Sequence, residues 1–437
     1  MRAAVWHGYK DIRIEDVAEP VPQPGYVKIR VNWAGICGTD RHEYEGPNFI
    51  PVSRPHRLTG RTAPLTLGHE FSGVIAQLGA GVAGWSVGDR VTANGSLTCG
   101  SCEACRSGRF NVCSRLGFLG VSTDGAFAEY VCVEAARLFR IPDGVSQRDA
   151  VLSEPLACGL HATHLLGDIR GKDVVILGPG IIGLSAFWGA KTAGAGRILV
   201  SGIGDYRREL IEQNGGTYVD ASAESLEQRV AEWTDGNLAD VVYECIGSER
   251  TLDQAIRISK PGARLMVMGV FGRKPTVDLN TLQEAERVLY TSQAHVNEIA
   301  DALELIRSGA VPASALITRE VTLDTLVQDG FEHLIEHGPE HIKVLIMNSR
   351  SIPALRRASV ARRSARPISR RRTRSWPSRM RCATSIPTIT RRWRRSLPRS
   401  WRRAAASTAT ASARRASSGA SPSMNTRASA SRAAPCR

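Results

Sequence analysis

Asp173-Val-Val-Ile-Leu-Gly-Pro-Gly-Ile-Ile-Gly183 decides how this chain folds. The apolar run Val174–Leu177 has no polar interruption, which suits a strand buried on both faces. Gly178, Gly180 and Gly183 follow at the G-x-G-x-x-G spacing, and a helix opens behind them. Taken alone the pattern does not decide, because ordinary glycine turns in α/β proteins share it. Between a strand and a helix each glycine has a task. The first allows the turn, the second lets the backbone approach a pyrophosphate, and the third lets helix and strand pack closely. Gly178, Pro179, Gly180, Ile182 and Gly183 are therefore candidate dinucleotide contacts.

Downstream, apolar runs at 197–200, 239–247 and 264–269 alternate with helix-like segments at 206–213 and 251–258. That alternation predicts a doubly wound parallel sheet covered on both faces. The end of the second strand is where an acid would hold the adenosine ribose of NAD. The chain reads Leu199-Val-Ser-Gly-Ile-Gly-Asp-Tyr-Arg-Arg208, so Gly202 stands at the acid's place and Asp205 comes three residues later. Arg207 and Arg208 are close enough to meet a 2′-phosphate, but the plainer reading makes them solvated helix residues. The cofactor stays open between NAD and NADP, with NAD the first expectation and Gly202, Asp205 and Arg207 added to the contacts.

Upstream the text changes character. Residues 2–31 alternate apolar and polar with breaks at Pro20, Pro22, Pro24 and Gly25, which predicts a short β meander. Gly35-Ile-Cys-Gly-Thr-Asp-Arg-His42 reads as a glycine-flanked turn that presents a thiol, a hydroxyl and an imidazole. A polar insertion, 46–64, precedes Leu67-Gly-His-Glu-Phe-Ser-Gly73. Cys99, Cys102, Cys105 and Cys113 follow, with two residues between the first three and seven before the last. Four thiolates converging from one short loop make a closed, structural zinc site. Disulfides are the weaker reading, because nothing marks the chain as secreted. The N-terminus has no long apolar run, and no window approaches the roughly 20 apolar residues of a membrane span. A cytoplasmic protein with reduced thiols and no membrane contact is expected. Beyond Pro155 the apolar spacing becomes helical.

Cys37, His69, Glu70 and Glu154 are metal-ligand types from three separate segments, as in a catalytic zinc that keeps one position open. Each alone is more often a core thiol or a turn. Together, beside a four-cysteine loop, they predict a second zinc that works. The far end holds a helix at 298–307, an amphipathic segment at 323–336 and a last strand at 341–347.

Of 57 Lys and Arg, 23 are arginines after Ser351, where no Lys, Asp or Glu occurs. The remaining 34 basic residues face 42 acidic ones, a balance of −8 against +15 for the whole chain. A mildly acidic body gives no reason to expect nucleic acid as a partner. The tail cannot bury a core and is expected to be disordered. It reads either as a coding sequence continued out of frame or as a basic arm, and the former fits its lack of period.

These residues resemble the zinc-dependent medium-chain alcohol dehydrogenases, most of all the butanediol and sorbitol dehydrogenase branch, over about residues 1–348. The shared motifs are Cys37-Gly-Thr-Asp, Gly68-His-Glu, the four cysteines and Gly178-Pro-Gly-Ile-Ile-Gly. Glu45-Gly-Pro-Asn-Phe-Ile-Pro51, Pro55-His-Arg-Leu-Thr-Gly60, Leu116-Gly-Phe-Leu-Gly120, Gly330-Phe-Glu-His-Leu and His341-Ile-Lys-Val-Leu-Ile match the branch. The resemblance implies a GroES-like, mostly β catalytic domain (1–155 and 296–349) and a Rossmann domain (156–295), followed by the tail (350–437). It implies that Cys37 and His69 bind the catalytic zinc with Glu70, Glu154 or both, and that Thr39 meets the substrate hydroxyl and starts a proton path toward His42. It implies hydride transfer between a nicotinamide cofactor and a secondary alcohol or vicinal diol, with 2,3-butanediol and acetoin the first pair and sorbitol-like polyols the alternative. A homodimer or homotetramer is expected. The competing class is a zinc protein that binds nucleotide without catalysis.

Overall fold

The computed structural model describes residues 1–46 and 48–348; the tail and the reading placed on it lie outside the described residues. Asp173–Leu177 is the inner strand β1 of a six-stranded sheet, joined by β2 (Arg197–Gly202), β3 (Thr217–Asp220), β4 (Ala239–Glu244), β5 (Ser259–Val267) and β6 (Val288–Thr291). Their order is β3-β2-β1-β4-β5-β6 and every pair is parallel. The order reverses beside β1, and ligands of such sheets bind at that switch point. Alternate residues of β1 serve two cores. Val174 and Ile176 pack with one cluster and Val175 and Leu177 with another, so the strand is apolar throughout.

Among the described residues the other lobe uses three further sheets, the smallest being the pair Ser96–Leu97 and Gly117–Phe118. A hairpin of Arg2–Gly8 and Asp11–Asp16 pairs with the short strand Leu65–Thr66. Tyr26–Gly35 lies in a different sheet, between antiparallel partners Glu70–Leu78, Tyr130–Glu134 and Lys343–Met347. The expected meander therefore does not form. Pro20, Pro22 and Pro24 cannot donate to a ladder, and they lie where the chain leaves one sheet for the next.

Two chain crossings tie the lobes together. The strand Lys343–Met347 returns to pair with Tyr26–Gly35, so the last strand of the described residues rebuilds the first lobe. The helix Ser153–Leu166 starts at that lobe and packs against α1 (Ile181–Thr192), the helix behind the glycine turn. The approach is close: a Cβ on Gly159 would stand 2.2 Å from the Ser185 carbonyl carbon.

Candidate active site and metal centres

Cys37 caps a helix, Gly38–Glu45, where the sequence suggested a turn. Its backbone N–H donates to the Asp40 carboxylate at 2.9 Å, so the acid three residues on closes a capping box. That box places the Cys37 sulfur at the helix start with Thr39 Oγ1 3.8 Å away. His69 and Glu70 arrive from the next strand. Gly68 before them has φ +98°, and a Cβ there would meet the Phe127 ring at 2.3 Å, so only glycine permits the approach. One donor atom each from Cys37, His69 and Glu70 falls within 4.8 Å of the other two. Soft sulfur, imidazole and carboxylate from separate segments are the donor set of a three-ligand zinc.

The surroundings fit a cation. His69 Nδ1 faces the Asp40 carboxylate at 3.9 Å, and both of these buried atoms lack a hydrogen-bond partner. The other ring nitrogen is thus the one available to an ion, with Asp40 placed to orient the ring. Burial raises the Asp40 carboxyl to about 6. Burial disfavours charge on His69, yet Cys37, Asp40 and Glu154 outweigh it and hold the imidazole well above its ordinary value. Glu70 is fully buried, and both its oxygens accept from Lys343 Nζ, at 2.7 and 2.8 Å. Lys343 also donates to the Ile36 carbonyl at 3.0 Å.

Glu154, in the first turn of Ser153–Leu166, stands outside that three-donor group. His295 Nε2 lies 3.4 Å from its carboxylate, and Asn94 Nδ2 lies 3.5 Å from the other ring nitrogen. Burial opposes the Glu154 charge, but His295 and His69 more than offset it. The two glutamates therefore have different partners, Lys343 for Glu70 and His295 for Glu154. His42 is exposed on the Gly38–Glu45 helix. Asp40, Lys343 and His295 were not singled out from sequence. The spacing Cys37-x-x-Asp40 could have signalled Asp40 as a cap; nothing local to Lys343 or His295 points to the site.

The four-cysteine loop closes as its spacing implies. Neighbouring sulfurs stand 3.5 Å (Cys102–Cys105 and Cys99–Cys113), 3.8 Å (Cys102–Cys113) and 4.0 Å (Cys99–Cys105) apart. Four sulfurs at about 2.3 Å from one zinc form a tetrahedron with edges of about 3.8 Å, whereas a disulfide needs about 2.05 Å. Backbone N–H groups of Cys99, Cys102 and Arg115 point at sulfurs at 3.4 Å. Hydrogen bonds from Ser101 lead the causes that lower the Cys99 thiol.

The glycine turn opens on a cavity of about 490 Å³ beside β1 and β2. Gly178, Pro179, Gly180, Gly202 and Arg207 line it, together with Tyr206 and Arg250. Ile182 and Gly183 do not: a Cβ on Gly183 would come within 1.8 Å of the Gly178 carbonyl, so that glycine serves helix–strand contact. Asp205 is also absent from the lining; its carboxylate takes Arg208 Nε at 2.8 Å and its side chain is 71% exposed. Arg208 is the solvated helix residue expected, whereas Arg207 is buried.

Known proteins agree with this architecture. Residues 23–143 match the alcohol dehydrogenase GroES-like domain and residues 182–308 the zinc-binding dehydrogenase model. The (R,R)-butanediol dehydrogenase of Bacillus subtilis (strain 168) is 36% identical over 349 residues, 79% of this chain and 99% of the relative. A sorbitol dehydrogenase of Halalkalibacterium halodurans is 37% identical over 347 residues, 78% of this chain and 96% of the relative. The crystal structure of 2R,3R-butanediol dehydrogenase from Bacillus subtilis superimposes with a TM-score of 0.74 at 36% identity, covering 80% of this chain and 99% of that one. With both lobes matched and nearly the whole length of each relative covered, the chain belongs to the zinc-dependent medium-chain alcohol dehydrogenase family.

Proposed function

We propose that this dehydrogenase interconverts a vicinal diol, 2,3-butanediol first, and its hydroxyketone, acetoin, with a nicotinamide dinucleotide as the hydride partner. One observation carries the reading: among the described residues the chain builds a closed four-sulfur site and, apart from it, a three-donor group of half-buried Cys37 with buried His69 and Glu70. A closed site holds structure and an open one does chemistry. Cys37 and His69 would hold the catalytic zinc with Glu70, and Glu154 faces them as the second acid; Cys99, Cys102, Cys105 and Cys113 would hold the structural one. Bound there, zinc supplies Lewis acidity toward an alcohol oxygen and the nicotinamide supplies the hydride acceptor.

The chain's own residues do the rest. Thr39, beside the Cys37 sulfur, accepts the hydrogen bond of the substrate hydroxyl and, as it takes that proton, gives up its own hydroxyl proton to the path toward His42. His42, exposed three residues further along the same helix, passes the released proton to solvent. Asp40 orients His69, and Lys343 fixes Glu70. The second oxygen of a diol is recognised by the acid that the metal leaves free, which is where a vicinal diol gains over a simple alcohol.

A polyol is the second reading, favoured by the sorbitol dehydrogenase relative. The R,R, S,S and meso butanediols and sorbitol, assayed by nicotinamide absorbance, separate the two. Turnover on the R,R diol above sorbitol supports the first reading, and no turnover on any of them removes both. The proposal includes a reducing, cytoplasmic setting and a homodimer or homotetramer. Among the described residues no helix is long and apolar enough to cross a membrane.

A further inference from the structure

We infer that His333 and His341, with His337 as a third donor, form a surface site for a divalent transition metal, copper(II) or nickel(II) ahead of zinc. The site shares no residue with either zinc group and does not depend on the dehydrogenase reading.

Three of the chain's ten histidines fall within nine residues, at 333, 337 and 341. The reaction proposed above gives their imidazoles no task. His333 and His337 are four apart on the helix His333–His337, so they share a face, with ring centroids 4.6 Å apart. The chain then turns through Gly338–Glu340, and His341 comes back onto His333. The two Nε2 atoms stand 2.8 Å apart.

The proton on His341 is placed by Thr318, on the strand Ile317–Thr322. A threonine hydroxyl has one hydrogen and two lone pairs. Thr318 Oγ1 donates to the Lys343 carbonyl at 3.2 Å, which spends its hydrogen. It accepts from the Ile342 N–H at 3.1 Å and from His341 Nδ1 at 3.3 Å. Nδ1 therefore carries the hydrogen of the His341 ring, and Nε2 presents its lone pair to His333. An outer partner sets the tautomer of a ligating histidine in this way. Without an ion, His333 Nε2 donates its hydrogen to that lone pair. With one, His333 moves the hydrogen to its other nitrogen and both lone pairs meet at the metal. Burial holds both rings below their ordinary value, reinforced by Arg319 and the neighbouring imidazoles, so they are neutral at pH 7 and able to ligate.

The spacing favours one class of ion. Two nitrogens about 2.05 Å from a metal stand about 2.9 Å apart at a right angle and about 3.3 Å apart at the tetrahedral angle. The 2.8 Å between the two Nε2 atoms matches the right angle, the geometry of tetragonal copper and nickel. In this structure the His337 ring does not complete the pair. Its side chain is exposed, with Glu336 and Glu340 at 3.8 and 3.5 Å, and exposed rings change rotamer within nanoseconds. The two carboxylates add negative charge that favours a cation. A bound ion would pin the helix to the turn after it, which walls the dinucleotide cavity through Gly338, Pro339 and His341.

The test uses the full-length, zinc-loaded protein without a polyhistidine tag, and nickel chloride alone as the probe. Equilibrium dialysis with metal analysis should find about one nickel ion per chain beside an unchanged zinc content. His333→Ala and His341→Ala should each weaken nickel binding at least about tenfold, and His337→Ala by less. Thr318→Val should weaken it by about ten- to hundredfold, because the His341 tautomer is no longer set. Copper(II) in place of nickel should give an electron paramagnetic resonance spectrum split by two or three nitrogens. Equal nickel binding by the unaltered protein and the His333→Ala, His341→Ala double variant overturns the inference. Zinc released in step with nickel uptake overturns it too, because nickel would then have entered a zinc site. The histidine variants decide the matter even where Thr318→Val does not fold.

Discussion

At the scale of single residues the site is a problem of charge balance. Lys343 and Glu70 are both fully buried and within 2.7 Å of each other. Removing one partner strands the other. Lys343→Ala should cost about 3–5 kcal/mol, since an uncompensated buried carboxylate remains. Lys343→Met with Glu70→Gln should recover much of that loss. Added zinc should narrow the gap for the single variant, because the metal offers Glu70 a second cation. Thermal melts with and without zinc check this, and an unchanged melting point in Lys343→Ala would show that the pair contributes little. The same balance explains which residues could be read in advance. Cys37, His69 and Glu70 stand out because thiol, imidazole and carboxylate beside glycines are chemically conspicuous within a few residues. Lys343 is one lysine in an apolar strand, and its role exists only once the fold brings it to Glu70, 273 residues away. Arg207 was read as solvated because helix-flanking arginines usually are; its burial depends on Pro339, which sequence spacing does not connect to it.

At the scale of elements, periodic segments were legible and capped or bridged ones were not. The parallel strands follow from unbroken apolar runs. The helix Gly38–Glu45 does not follow, because glycine and mostly polar residues carry no helical period. It forms because Cys37 and Asp40 cap it and because Glu43 and Tyr44 are buried. The four-cysteine loop is an element of the same kind, short and held by what it binds. Cys105→Ser should lower bound zinc from about two ions per chain to about one and reduce the melting temperature, since the loop has little core of its own. Metal analysis reads the first and calorimetry the second; two ions in the variant would refute the closed site. Asn111, just before Cys113, ties this loop inward through His161 Nε2 at 3.1 Å and the Gln293 carbonyl at 2.8 Å. Behind it Glu298 accepts from His161 at 2.9 Å and from His164 at 3.3 Å. Burial opposes the Glu298 charge, but these bonds prevail and hold its carboxyl well below the usual range. A depressed carboxyl contributes stability that is present above the unfolded value of about 4.3 and lost as pH falls below it. Glu298→Gln should therefore cost about 2 kcal/mol at neutral pH and show a shallower loss between about pH 4.3 and 2. Denaturant melts across that range test the slope; parallel curves for the two proteins would separate Glu298 from the acid response.

At the scale of the whole molecule, the order of the sequence and the order of the structure differ. The first lobe needs its last strand from residues 343–347, and the Asn348 N–H closes the edge on the Asn32 carbonyl at 3.1 Å. That strand also delivers Lys343 to the metal-ligand group, and the turn before it delivers Pro339 to Arg207. One return of the chain thus serves both halves of the reaction, the zinc side and the cofactor side. A clean split of the sequence into an N-terminal and a middle domain would miss this, which is why only the resemblance, and not periodicity, attached 296–349 to the first lobe. The same placement bounds what the tail can contribute. Every residue placed at either site lies at or before 343, and the 23 arginines after Ser351 add charge to a body whose balance is −8. Deleting residues 350–437 should leave zinc content, cofactor binding and turnover unchanged while lowering the isoelectric point from its present 9.7 to the acidic side. Isoelectric focusing and a steady-state assay on the two lengths decide it. A large loss of turnover in the shorter chain would mean that the basic segment acts on the enzyme itself, through a contact that the completed sheets do not require.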